Sequence, residues 1–236
     1  MIRGWFPIPE EEILNPGFNK LAPSEKLLFW LIVSEFNYSG PFYKADQDFA
    51  RILGASQVTV RVGRRKLQKL GFIEVRQGTQ AYGKNLATQY KNVIWSKPPK
   101  PGRFAQITRT EFYFILSLLR GRTISNQEAV IYIYLSYLGW ISGKGDQYDT
   151  FSISKRSLRE ETNISKSVEC AKLLSSKMEN RSMFKIEDNH HSITIHEWFK
   201  IKDADKDPSM FELSINLEKE LKELTERNTS TEEELT

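Results

Sequence analysis

From Ser24 the apolar residues Leu27, Leu28, Leu31 and Ile32 recur at helical spacing as far as Asn37, where Ser39-Gly40-Pro41 breaks the pattern. A second, shorter helix is predicted from Asp46 through Phe49, Ala50 and Leu53, stopped by Gly54 as a left-handed C-terminal glycine stops one. Ser56 is placed to cap a third helix whose apolar stripe is Val60, Gly63, Leu67 and Leu70, closed by Gly71. Two strands follow, Phe72 to Val75 and Tyr90 to Trp95, on either side of a polar, glycine-containing loop from Gln77 to Thr88. Lys97 to Gly102 is too rich in proline for a helix or a central strand and reads as a stiff linker.

The order then repeats. Phe104 to Thr108 predicts a strand and Thr110 to Leu119 a short helix. Ser125-Asn126-Gln127-Glu128 is a capping box opening a helix through Ala129, Ile133 and Leu138. Beyond a loop containing Gly143, Gly145 and Asp146, Ser154 caps a short helix with Leu158, Asn163 marks a turn, and Ser165 begins a helix with Val168, Ala171, Leu174 and Met178 on one face. Phe184 to Ile186 and Ile193 to Ile195 alternate as strands about the turn Asp188 to His191. Asp203 to Pro208 is a linker, Leu213 to Leu224 predicts a charged helix with Leu217, Leu221 and Leu224 as its stripe, and the acidic end from Glu226 has little apolar surface to bury and is expected to be disordered.

The net charge of +4 changes this picture only through its distribution. Between Ser56 and Arg103 the basic residues Arg61, Arg64, Arg65, Lys66, Lys69, Arg76, Lys84, Lys91, Lys97, Lys100 and Arg103 face one acid, Glu74. A basic middle beside an acidic tail predicts an anionic partner for the middle. The single cysteine, Cys170, excludes an intrachain disulfide and a cysteine zinc site. Met1 to Glu12 lacks the pattern of a signal peptide, and no stretch approaches the roughly 20 apolar residues of a membrane span, so a soluble, cytoplasmic protein without membrane contact is expected.

The stretch from Leu21 to Val75 resembles the winged helix-turn-helix family. The residues that carry the likeness are Pro23-Ser24-Glu25, Phe49-Ala50 with Leu53-Gly54, Ser56 to Val60, and the ending Lys66-Leu67-Gln68-Lys69-Leu70-Gly71-Phe72-Ile73. The resemblance implies a mainly α chain with small β-hairpins (α+β), as two winged-helix domains in tandem. The expected division is 1–96 for the first domain, 97–103 for the linker, 104–202 for the second domain and 203–236 for the charged helix and acidic tail.

On the third helix Val58, Arg61, Arg65 and Lys69 face away from the apolar stripe, with Gln57 and Arg64 at the flanks. Long donors near a helix start, with an apolar contact for a thymine methyl, suit a major groove. In the hairpin Arg76, Lys84 and Lys91, with Tyr82 and Asn85 beside them, are candidates for phosphates or the minor groove. In the second domain Lys166 and Lys172 are candidate contacts. The neighbouring Glu169, Lys177 and out-of-stripe Leu173 leave dimerisation or docking of another protein as the alternative.

Other chemistries lack their residues. Gly143-Lys144-Gly145 and Gly83-Lys84-Asn85 do not have the spacing of a phosphate-binding loop, and Asp203, Asp205 and Asp207 meet Pro208 where a calcium loop needs glycine. His190, His191 and His196 have no matching carboxylate pattern, and Tyr132, Tyr134 and Tyr137 read as helix packing. No catalysis, cofactor or metal is expected. Tandem winged helices with an opening such as Gly4-Trp5-Phe6-Pro7-Ile8 resemble plasmid and phage replication initiators, which implies binding to repeated origin sites in double-stranded DNA and recruitment of host helicase or primosome proteins. A transcriptional regulator, dimeric through its second domain, and a partition or primosome-assembly adaptor are the rival readings.

Overall fold

Two 17-residue helices, α3 and α7, form the centre of the protein in a computed structural model, because each is apolar around most of its circumference and must be buried on several sides. The structure describes residues 5–76, 80–81, 84–85, 87–97, 103–142, 150–178 and 185–196, with 212, 215–217, 219–220 and 223 near the C-terminus.

In chain order the described elements are β1 (Trp5–Pro9), α1 (Glu10–Ile13), α2 (Pro16–Asn19), α3 (Pro23–Ser39), β2 (Phe42–Lys44), α4 (Asp46–Leu53), α5 (Gln57–Lys69), β3 (Ile73–Arg76), β4 (Gln80–Ala81), β5 (Lys84–Asn85) and β6 (Thr88–Val93). The second half contains β7 (Phe104–Thr108), α6 (Arg109–Arg120), α7 (Asn126–Ser142), β8 (Phe151–Ser154), α8 (Lys155–Thr162), α9 (Ser167–Met178), β9 (Lys185–Asp188) and β10 (Ser192–His196). The class is therefore α+β, helices with small antiparallel sheets.

The repeat read from the pattern is present in the element order. Long helix, strand, eight-residue helix, helix and two strands occur as α3–β2–α4–α5–β3–β6 and again as α7–β8–α8–α9–β9–β10. The sheets match in connectivity, β2-β6-β3 and β8-β10-β9. Each short helix ends in a left-handed residue, Gly54 at φ 60° and Asn163 at φ 54°. The halves differ between the last two helices, where residues 54–56 connect α4 to α5 but 163–166 connect α8 to α9. As a result α9 begins at Ser167 and not at the expected Ser165.

β1, β2 and β8 had no counterpart in the sequence pattern, and β4 and β5 fall within the stretch from Gln77 to Thr88 that was read as a loop. β2 is short and aromatic, and its Phe42 stacks on Tyr90 of β6 with ring centroids 4.8 Å apart. β1 pairs antiparallel with β7, Trp5 opposite Thr108 and Pro9 opposite Phe104, so the opening strand lies against the start of the second half. The halves are tied further by side chains. Buried Lys26 of α3 donates to the Thr162 carbonyl at the end of α8, 2.9 Å, and Glu35 of α3 accepts from Tyr113 of α6, 2.8 Å. Lys44 reaches the other oxygen of Glu35 at 2.9 Å, and Arg109 donates to Tyr113. Burial alone would raise the Glu35 carboxyl; the positive charges of Lys44 and Arg109 reverse that and hold it below its ordinary value.

The tyrosines of α7 are buried, as expected, with Tyr132 donating to Glu111 and Tyr134 to Glu161. Near the C-terminus Leu217 is buried and Glu220 reaches Arg51 of α4 at 2.8 Å and Arg120 of α6 at 2.5 Å. The linker at 98–102, the loop at 143–149 and the segment 203–208 lie outside the described residues.

Candidate nucleic-acid interface

The third helix of the sequence reading is α5, and its position is set by local chemistry at both ends. Gly54 turns the chain out of α4, and the Ser56 side chain accepts from the Thr59 backbone N–H at 3.1 Å to cap the first turn of α5. Gly71, at φ 76°, turns the chain out of the far end into β3. The buried side is Val60, Gly63, Arg64 and Leu67. Gly63 packs against α3 rather than the preceding helix: a Cβ there would lie 3.2 Å from the Leu28 side chain. Leu70, expected in the stripe, is exposed because α5 has ended before it.

Arg64 corrects the expected surface most sharply. It is 3% exposed and donates from Nε and Nη2 to the two carboxylate oxygens of Asp46 at 2.7 and 3.1 Å. At about 100° per residue, position 64 falls beside Val60 and Leu67, so the helix buries it whatever its charge. Burial would lower its pKa; the hydrogen bonds to Asp46 raise it instead, so the guanidinium stays charged inside. Arg64 is thus a joint between α4 and α5 and not a groove contact.

The outward strip follows from the same wheel. Val58, Val62, Arg65 and Lys69 all point within about 30° of the direction opposite the buried side. All four are exposed, and Gln57 and Thr59 are exposed at the helix start. Arg61 leans to one side, with Nε 3.5 Å from Asp46 and its side chain 47% exposed. Lys66 pairs with Glu25 of α3 at 2.6 Å. Among the described residues no acid partners Arg65 or Lys69. Val62 was missed in the sequence, although its wheel angle was available.

Beside α5 stands the β3–β6 hairpin. Glu74 pairs with Asn92 but Val75 with Tyr90, leaving Lys91 as the extra residue of a bulge. The bulge turns Lys91 and Asn92 both outward while Tyr90 and Val93 stay buried. Arg76 is exposed at the end of β3. Beyond it, β4 and β5 pair Gln80 with Asn85 and Ala81 with Lys84, so the backbone of Lys84 and Asn85 is part of the hairpin tip. Their side chains, and Tyr82, lie outside the described residues.

The equivalent surface of the second half is different. Lys166 is exposed, but Lys172 is held by Asp188 at 2.8 Å, and Asp188 also takes Lys155 at 2.6 Å. Hydrogen bonds from Lys155 and Lys172 hold the Asp188 carboxyl at about 2. Lys177, expected on the exposed face, is half-buried on Glu128 at 2.6 Å. Leu173 is 52% exposed and Glu169 is exposed beside it. Two of the cations are therefore already neutralised within the protein.

Among the described residues there is no group of three or more histidine, cysteine or acidic side chains placed to hold a metal, and no helix long and apolar enough to cross a membrane. His196 contacts Glu187 at 3.1 Å, and His190 and His191 are exposed in the β9–β10 turn. Comparison with protein-family models, curated proteins and solved structures finds no match to this chain.

Proposed function

We propose that the protein is a non-catalytic, sequence-specific double-stranded DNA-binding protein built of two winged-helix units. In this reading α5 enters the major groove and the β3–β6 hairpin lies against the neighbouring backbone. One observation carries it: the outer strip of α5 presents Arg65 and Lys69 with no described acid to neutralise them, on a rigid capped helix beside exposed Arg76 and Lys91. Cations so placed gain by releasing counterions from a duplex, and their mounting on a helix lets them also reach base edges.

The tandem repeat of the element order gives the chain a second unit of the same arrangement beside the DNA-reading one. A plasmid or phage replication initiator acting on repeated origin sites, and recruiting host helicase or primosome proteins, fits that arrangement and the sequence resemblance. The second unit favours protein contact over phosphate contact, because Asp188 engages both Lys155 and Lys172 while Leu173 is exposed. Docking of a replication partner, or of a second copy, on α9 is the use this surface supports.

Selection of binding sites from a random-sequence duplex pool, followed by dimethyl-sulfate footprinting of the major groove and hydroxyl-radical footprinting of the backbone, tests the reading. Convergence on a site, with protection of a major groove and the adjacent backbone lost in Arg65→Ala, is expected. Failure to enrich any sequence would overturn it.

A further inference from the structure

We infer that the α5 strip reads thymine, with Val58 and Val62 packing on the C5-methyl groups of two thymines in the major groove. The inference rests on the DNA-binding reading above and specifies which bases the site selects. Val58 is 66% and Val62 56% exposed, although most large apolar side chains among the described residues are buried. They stand one turn apart on the strip that carries Arg65 and Lys69. Helix stability does not account for them, since β-branched residues lose side-chain freedom in a helix and alanine would serve better at an exposed position. The core does not account for them either, because they point away from it.

Charge decides what covers them. Arg61, Arg65 and Lys69 surround the valines, and no acid lies on the strip. An apolar protein surface laid over this strip would bury Arg65 and Lys69 without partners, which is costly. A duplex resolves both demands at once: phosphates line the groove edges for the cations, and thymine methyls are the apolar groups on its floor. Four residues at a rise of about 1.5 Å separate the valines by about 6 Å, comparable with two base steps of about 3.4 Å, so both can meet methyls in one short run.

The test uses the full chain and the site obtained from the random duplex pool. Each thymidine of that site is replaced in turn by deoxyuridine, which removes the methyl and leaves the hydrogen-bonding edges intact. The wild-type protein is expected to lose roughly fourfold in affinity at each of two thymines, about the effect of one buried methyl group. Val58→Ala and Val62→Ala should each bind less tightly and become indifferent to deoxyuridine at one of those positions. Both variants raise helix propensity at exposed sites, so folding is preserved. If a site is selected and Arg65→Ala weakens it, yet deoxyuridine has no effect anywhere or acts equally on wild type and valine variants, the thymine inference falls and the DNA reading stands. If no site is selected, both fall. A dimer seen by sedimentation that Val58→Ala dissolves, with deoxyuridine silent, would make the strip a protein contact and also overturn the inference.

Discussion

Arg64 and Asp46 meet through two hydrogen bonds, 2.7 and 3.1 Å, that lock α5 onto the first turn of α4. Both groups are buried, so their charges are compensated almost entirely by each other and by Arg61 at the rim. Removing one partner of such a pair leaves a buried charge, which costs far more than the intact pair contributes. Arg64→Ala is expected to lower unfolding free energy by about 3–5 kcal/mol in urea titrations. Arg64→Lys should recover little of it, because a lysine cannot make the two-pronged contact. A loss under about 1 kcal/mol would contradict the pairing as described.

Arg65 and Lys91 are expected to separate base reading from backbone contact. Arg65→Ala should cost about 1–3 kcal/mol on the selected site and relax its sequence preference. Lys91→Ala should weaken all duplexes alike and flatten the salt dependence by about one unit of log K per log salt. Arg61→Ala should have the smaller effect on preference, since Asp46 already draws that side chain sideways. Anisotropy titrations on selected and scrambled duplexes distinguish these outcomes.

Much of this surface could be read from the sequence, because the devices that place α5 are local: Gly54, the Ser56 cap and the period of Val60 and Leu67. What could not be read depends on partners far along the chain. Arg64 has a wheel angle that points inward, but only the meeting with Asp46 makes an interior arginine tolerable. Trp5 to Pro9 becomes a strand because Phe104 to Thr108 pairs with it, about a hundred residues away, and its two prolines mask the alternation. The neutralisation of Lys155 and Lys172 depends likewise on Asp188, which reaches back from β9 to α8 and α9.

Stability should pass through a minimum near pH 8 as far as Glu12 and Lys26 are concerned. Burial raises the Glu12 carboxyl from 4.5 to about 8, against the opposing Trp30 hydrogen bond of 2.5 Å, and its Oε2 has no hydrogen-bond partner among the described residues. The unfolded chain releases that proton above 4.5 while the folded protein keeps it to about 8, so stability falls as pH rises through this window. Burial lowers Lys26 from 10.5 to about 8, so its share of stability returns only as pH rises between those values. Glu12→Gln should remove the decline between pH 5 and 8 in urea titrations, where its advantage over wild type grows with pH. An advantage independent of pH would contradict a buried, protonated Glu12.

Leu217 is expected to hold the C-terminal segment more strongly than Glu220 does. Burying a leucine side chain contributes about 1.5–3 kcal/mol, whereas the partly exposed bridges from Glu220 to Arg51 and Arg120 contribute up to about 1 kcal/mol. Leu217→Ala should therefore speed protease cleavage near the C-terminus well beyond Glu220→Gln, and only the Glu220 variant should lose its effect in high salt. Equal cleavage rates in the two variants would reverse the ranking.

The account depends most on the outer strip of α5 and the adjoining hairpin meeting a duplex. Its most direct measurement is the binding of a labelled duplex across a range of NaCl concentrations by wild type and by Arg65→Ala/Lys69→Ala/Lys91→Ala. The triple variant should unfold at the wild-type urea concentration yet bind at least about 100-fold more weakly, with a log K against log salt slope shallower by about two. A folded triple variant with the wild-type affinity and slope would place the DNA contact elsewhere or remove it.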